Sequence, residues 1–159
     1  MRGGYSPIIF DSGGSKSVAP DDRWSSWTPT GIHTTNVTYT GLVRRVGNTA
    51  HYKVKVTFSG ATDSGAFRLN LPSGHVADTT KMISTATSNY NLGNAVISDT
   101  GSGSYIGKVG YIDTTTVAVR FLKDFTTVQY LSGYTDTAPV TIASGDFVQL
   151  EFSLPIVGW

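Results

Sequence analysis

Between residues 51 and 58 the chain alternates strictly, with Tyr52, Val54, Val56 and Phe58 on one side of an extended backbone and His51, Lys53, Lys55 and Thr57 on the other. A helix would scatter those apolar side chains around its circumference, whereas a strand lines them up against a core. The period of two returns at Phe67, Leu69 and Leu71, with Arg68 and Asn70 opposite, and Pro72-Ser73-Gly74 ends it. It returns again at Val117, Val119 and Phe121, and at Val148, Leu150, Phe152 and Leu154, where Gln149, Glu151 and Ser153 face the other way. Further strands are predicted over 36–46, 90–97 and 105–112, bounded by Gly47-Asn48, Asp99-Thr100-Gly101 and Asp113-Thr114. About eight short strands with no helical segment between them predict an all-β antiparallel sandwich of the jelly-roll kind and argue against a parallel α/β sheet.

A chain of 159 residues fits one such domain. A domain of that size buries roughly 70% of the surface its unfolded form exposes, enough for a core. Charged residues are only 14%, and Thr, Ser, Gly, Val and Tyr are abundant, which suits strands and tight turns. The formal charge of +1 supplies no long-range field of one sign, so a nucleic-acid partner is not expected. No run of about 18 apolar residues is present, so membrane insertion is not expected either. Met1 leads into Arg2-Gly3-Gly4-Tyr5 rather than a basic-then-apolar leader, which predicts synthesis in the cytoplasm. Without cysteine there is neither a disulfide framework nor a thiolate metal site, and oligomerisation is the obvious supplement to the core.

Residues 1–23 read differently from the rest. They are rich in Gly, Ser, Pro and Asp and hold one apolar island, so they cannot build a core of their own. They are expected to form an arm that docks onto a neighbouring protein, with Pro7, Ile8, Ile9 and Phe10 as its adhesive part. Residues 24–159 form the predicted jelly-roll domain.

Within that domain Trp27-Thr28-Pro29-Thr30 leads into Thr38-Tyr39-Thr40-Gly41-Leu42-Val43-Arg44-Arg45-Val46-Gly47. There follow Thr57-Phe58-Ser59-Gly60, Leu69-Asn70-Leu71-Pro72-Ser73-Gly74, Ala143-Ser144-Gly145-Asp146-Phe147-Val148-Gln149-Leu150 and the closing Leu154-Pro155-Ile156-Val157-Gly158-Trp159. This order resembles the small knob modules of bacteriophage fibres, spikes and head appendages, which are similar in topology to the trimeric C1q and tumour-necrosis-factor jelly rolls. The Gly-Asp-x-Val-x-Leu element is similar to the one that starts the last long strand of C1q-like domains. The resemblance implies a non-enzymatic, homotrimeric part of a virion that displays loops to a host surface. Its implied partners are copies of itself, another virion protein through the arm, and a host surface saccharide or protein. Fibre knobs follow long shafts, whereas only residues 1–23 precede this domain, so a short stand-alone appendage or decoration protein is the better match.

Candidate chemistry is sparse. Asp11-Ser12-Gly13-Gly14 has the form of a serine-protease nucleophile segment, but only ten residues precede Asp11, too few for the upstream His and Asp. His33, His51 and His75 lie in separate segments without metal-ligand spacing and are expected to be exposed strand and turn residues. Neither a metal nor any other cofactor is expected. Glu151 is the only glutamate, and on the polar side of a strand it reads as a solvated or interface charge rather than half of a glycosidase pair. Gly101, Gly103 and Gly107 miss the dinucleotide fingerprint and read as a loose hairpin loop. Asn36-Val37-Thr38 is a glycosylation sequon that carries no meaning without a secretory signal. Arg44, Arg45, Lys53 and Lys55 would form a small basic patch if their strands pair, and otherwise read as interface or surface charges.

Recognition is assigned instead to aromatic side chains. Phe125, Tyr130 and Tyr134 stand among Thr, Ser, Gly and Asp, a setting that suits sugar or protein contacts and equally suits core or trimer contacts. Tyr90 and Tyr105 are a second set. The apolar end of the chain, with Ile156, Val157 and Trp159, is explained by burial, in the domain core or at a trimer axis. The rival class is a monomeric carbohydrate-binding module with Trp24 and Trp27 as stacking platforms, and a depolymerase would need two carboxylates about 5 to 10 Å apart.

Overall fold

A computed structural model describes the backbone of residues 8–10, 16–18, 23–86, 91–124 and 129–159, and the side chains within 23–86, 91–121 and 132–159. Strands β1 (Ile8–Phe10) and β2 (Lys16–Val18) form an antiparallel pair of their own. All other strands belong to one antiparallel sheet. They are β3 (Ser25–Trp27), β4 (Thr30–Gly31), β5 (Val37–Val46), β6 (Thr49–Phe58), β7 (Arg68–Asn70), β8 (Asn91–Asp99), β9 (Gly103–Tyr111), β10 (Thr116–Asp124), β11 (Gln129–Gly133) and β12 (Phe147–Pro155). Among the described residues one 3-10 turn, Thr79–Lys81, is capped by the Asp78 side chain.

The strand order is β3-β5-β6-β12-β8-β9-β10-β7-β4, with β11 beside β7 on β10. Its two ends, β3 and β4, are separated in the chain only by Thr28 and Pro29, so this segment carries the backbone from one edge of the sheet to the other. The sheet must curl to permit that, and it folds over one core as an all-β sandwich of the jelly-roll type.

Alternation explains the core directly. Tyr52, Val54, Val56 and Phe58 of β6 and Val148, Leu150, Phe152 and Leu154 of β12 are all buried, in register as Val54↔Leu150 and Tyr52↔Phe152. The Tyr52 and Phe152 rings stack at 4.6 Å, and Trp27 meets Tyr52 edge-on at 6.2 Å. Each fully buried side chain of this size contributes about 1.5–3 kcal/mol against exposure. Gly41, opposite Trp27 on β3, leaves room for that indole, since a Cβ there would come within 2.5 Å of Trp27 Nε1.

Turn chemistry fixes the registers. Gly47-Asn48 joins β5 to β6, and Gly47 sits at φ 60, the value that a two-residue hairpin with glycine first requires. The β8–β9 loop is closed by Asp99, which accepts from the Gly101 amide at 2.7 Å and the Ser102 hydroxyl at 2.6 Å. The predicted loose loop at Gly101–Gly107 therefore ends at Gly103, where β9 begins.

Asp146 has a related part in the last strand. It is 2% exposed and accepts from Thr100 N–H at 3.0 Å, the Thr100 hydroxyl at 3.1 Å and Ala143 N–H at 2.8 Å. Its carboxylate thus fastens the β8–β9 loop to the turn that launches β12.

Candidate functional site

Residues that alternate with the core build the other side of the sheet. One row across it runs Leu42, Lys53, Glu151, Asn94, Lys108 and Arg120, and the next runs Thr40, Lys55, Gln149, Val96 and Ile106. Lys53 pairs with Glu151 at 3.3 Å and Lys108 donates to Asn94 at 3.0 Å. Both partners of the ion pair are well exposed, so it contributes little to stability. Leu42 and Val96 flank an open groove of about 440 Å³ floored by β6 and β12, and Ile106 is 70% exposed on the same face.

At its β3 edge this face turns into a cationic cleft. β3 covers β5 only from Gly41 to Val43, so Arg44 and Arg45 lie beyond the strand that would flank them. The Arg44 guanidinium sits 4.8 Å from the Trp24 ring centroid, with Lys53 Nζ at 5.4 Å from the same ring. Arg45 covers the Trp159 ring at 4.9 Å, and its Nε donates to the Gly47 carbonyl at 2.8 Å. His75 meets Trp159 edge-on at 4.8 Å and shares a 2.8 Å hydrogen bond with the Tyr52 hydroxyl. Burial holds the His75 imidazole below its ordinary value, which keeps this corner from gaining a further charge. Among the described residues, Arg44, Arg45, His75 and Trp159 line, with Arg23, Ser25 and Val43, a cleft of about 200 Å³ to which no Asp or Glu contributes.

The aromatic candidates separate. Tyr134 is a correction: it is 1% exposed, its ring 5.5 Å from Phe67, and therefore a core residue rather than a contact for a receptor or saccharide. Tyr105 is half-buried and packs against the core from β9. Tyr90 and Phe125 lie outside the described residues, as does Pro7, while Tyr130, Ile8, Ile9 and Phe10 fall in strands whose side chains are not described. The terminal candidates also divide. Ile156 is fully buried in the chain's own core, so it cannot serve as a trimer contact, whereas Val157 is 54% exposed and Trp159 is half-buried against His75 and Arg45.

The histidine expectation is corrected as well. His33 is fully buried between Phe58 and Phe67, with Nδ1 2.8 Å from the Asp63 carbonyl and Nε2 without a partner. Burial lowers its pKa, so it sits there as the neutral ring with the proton on Nδ1. His51, on the outer face, shares a 2.8 Å hydrogen bond with Ser153 and is likewise held low, by burial and by Arg44. Among the described residues no three His, Asp or Glu side chains come together as metal ligands do.

Sequence reasoning raised the basic patch, and β5 and β6 do pair, with Arg44 opposite His51 and Leu42 opposite Lys53. It missed that Arg23, His75 and Trp159 converge on Arg44 and Arg45, because four separate segments supply them and no spacing links those segments. Comparison with protein-family models, with curated proteins and with solved structures returned no match.

Proposed function

We propose that the chain is a non-enzymatic structural part of a bacteriophage particle, a short fibre, spike or decoration protein that assembles as a homotrimer and attaches to a host surface. The observation that carries this reading is the uncovered outer face of the sheet, where Leu42, Val96 and Ile106 stand exposed among polar side chains. Exposed apolar groups rimmed by polar ones mark association surfaces. The motif order supports the same reading, since Gly145-Asp146 stands at the head of β12, where the resembled modules place it.

Charge on the face favours a ring over a twofold pair. Lys53, Lys55 and Lys108 lie on it with Glu151 as the one acid among the described residues. A twofold contact would set this face against its own copy and oppose lysine to lysine. A threefold ring sets it against a different surface of the next subunit, and the loops hold Asp63, Asp113 and Asp136, whose carboxylates accept hydrogen bonds from their own chain. The rival of a monomeric carbohydrate-binding module needs free ring faces, yet Trp24 is covered by Arg44 and Lys53 and Trp27 packs on Tyr52.

Native mass in solution tests the assembly. The expected result is three times the 16.9 kDa chain mass, shifting toward monomer in Ile106→Glu. A monomeric wild-type protein at micromolar concentration would overturn it.

A further inference from the structure

We infer that the cleft between β3 and the chain's end binds an oxyanion, a carboxylate or phosphate carried on a host-surface saccharide. The bearer rests on the attachment reading above; the anion rests on the cleft alone. Arg44 and Arg45 line it with His75 and Trp159 around about 200 Å³, room for one small charged group rather than a peptide strand or helix. Among the described residues neither Arg44 nor Arg45 makes an ion pair, and the Arg44 Nε is buried without a hydrogen-bond partner. A buried donor without an acceptor costs free energy until an acceptor arrives.

The contacts that do hold these arginines orient them rather than satisfy them. Trp24 and Trp159 take guanidinium faces and the Gly47 carbonyl takes the Arg45 Nε–H, which leaves the Arg44 edges and the terminal N–H edge of Arg45 as the donors still to be used. Such edges match carboxylate and phosphate oxygens bidentately, a geometry that lysine cannot supply. Ser25, on the edge strand, adds a hydroxyl for a neighbouring sugar oxygen. Glu151 does not line this cleft; it lines the adjoining cavity with Arg44 and Trp24 and is paired there with Lys53.

NMR titration of the full chain, followed at the arginine Nε–H and tryptophan indole signals, tests the inference with four probes. These are oligomers of D-glucuronate, oligomers of glycerol phosphate, neutral glucose oligomers and poly-L-glutamate. One anionic saccharide arm is expected to shift Arg44 and Trp159 saturably while neutral glucose does not, and which arm it is identifies carboxylate or phosphate. Arg44→Gln and, independently, Arg45→Gln are each expected to weaken that binding at least tenfold, with the β-sheet spectrum retained. The inference is overturned if no anionic probe shifts Arg44, if both variants bind as the wild type does, or if poly-L-glutamate binds as tightly as the better saccharide. The oligomer measurement stands apart from this result, so a monomer that binds the anion would sink the assembly and leave the cleft.

Discussion

Replacing Asp146 with alanine should cost this fold a large share of its stability, although the residue is polar and touches no candidate site. Its carboxylate accepts from two backbone amides, Thr100 at 3.0 Å and Ala143 at 2.8 Å, and from the Thr100 hydroxyl. A buried donor left without its acceptor costs about 1–3 kcal/mol. Thr100 and Ala143 are both exposed residues, and the Thr100 hydroxyl can turn to water, so the expected loss for Asp146→Ala is about 2–4 kcal/mol rather than the full sum. Against a typical total of about 5–15 kcal/mol that is severe. With a urea slope of about 2 kcal/mol per molar, the midpoint should fall by about 1–2 M. Asp146→Asn keeps one acceptor oxygen and turns an amide toward a donor, so it should fall between alanine and wild type. The assay is urea unfolding followed by tryptophan fluorescence, at one protomer concentration, because assembly adds a concentration-dependent share. A midpoint for Asp146→Ala within about 0.2 M of wild type would refute the claim that this carboxylate fastens β12 to the β8–β9 loop.

Acid should destabilise the fold before its carboxylates titrate. His33, His51 and His75 are all held below 6.5, first by burial, so the unfolded chain binds more protons as pH falls. Their contribution is complete above pH 6.5 and is lost as pH drops through that value toward the lowered native ones. Urea midpoints should therefore fall between about pH 7.5 and about pH 5, and His33→Leu should flatten the slope; an unchanged slope would count against a buried neutral ring. Gly41→Ala should destabilise by about 1–3 kcal/mol through overpacking, with a shift in tryptophan emission, because the added methyl meets Trp27 Nε1 and Pro29. An alanine variant as stable as wild type would show that the Trp27 indole is not seated against β5.

Much of this fold was legible because most of its long strands have one wet side. In β6 and β12 every second residue is buried, and the registers follow from that requirement once the strands pair. Short elements were not legible. β3 and β4 hold three and two residues, too few for a period to register, yet they form the two ends of the sheet. Tyr134 misled for a related reason. Gly133 and Thr135 flank it, so no alternation marks it as inward, and its burial follows from the long-range bond of its amide to the Val119 carbonyl at 3.0 Å. His33 inverts the usual order, with exposed Ile32 beside it, because the Asp63 carbonyl gives its Nδ1 a partner inside.

The candidate site was half legible on the same grounds. Alternation that sends Val54 and Leu150 inward must send Lys53, Lys55 and Glu151 outward, so the chemistry of the sheet face is encoded together with the core. The cleft has a different origin. It exists because β3 pairs with β5 only as far as Val43, so the side chains of Arg44 and Arg45 meet two tryptophans and a histidine where a longer β3 would have laid its own residues. Strand length at an edge is set by what the chain does on either side of it, here the entry from Arg23 and Trp24 and the exit at Trp159. Local periodicity carries no trace of that meeting.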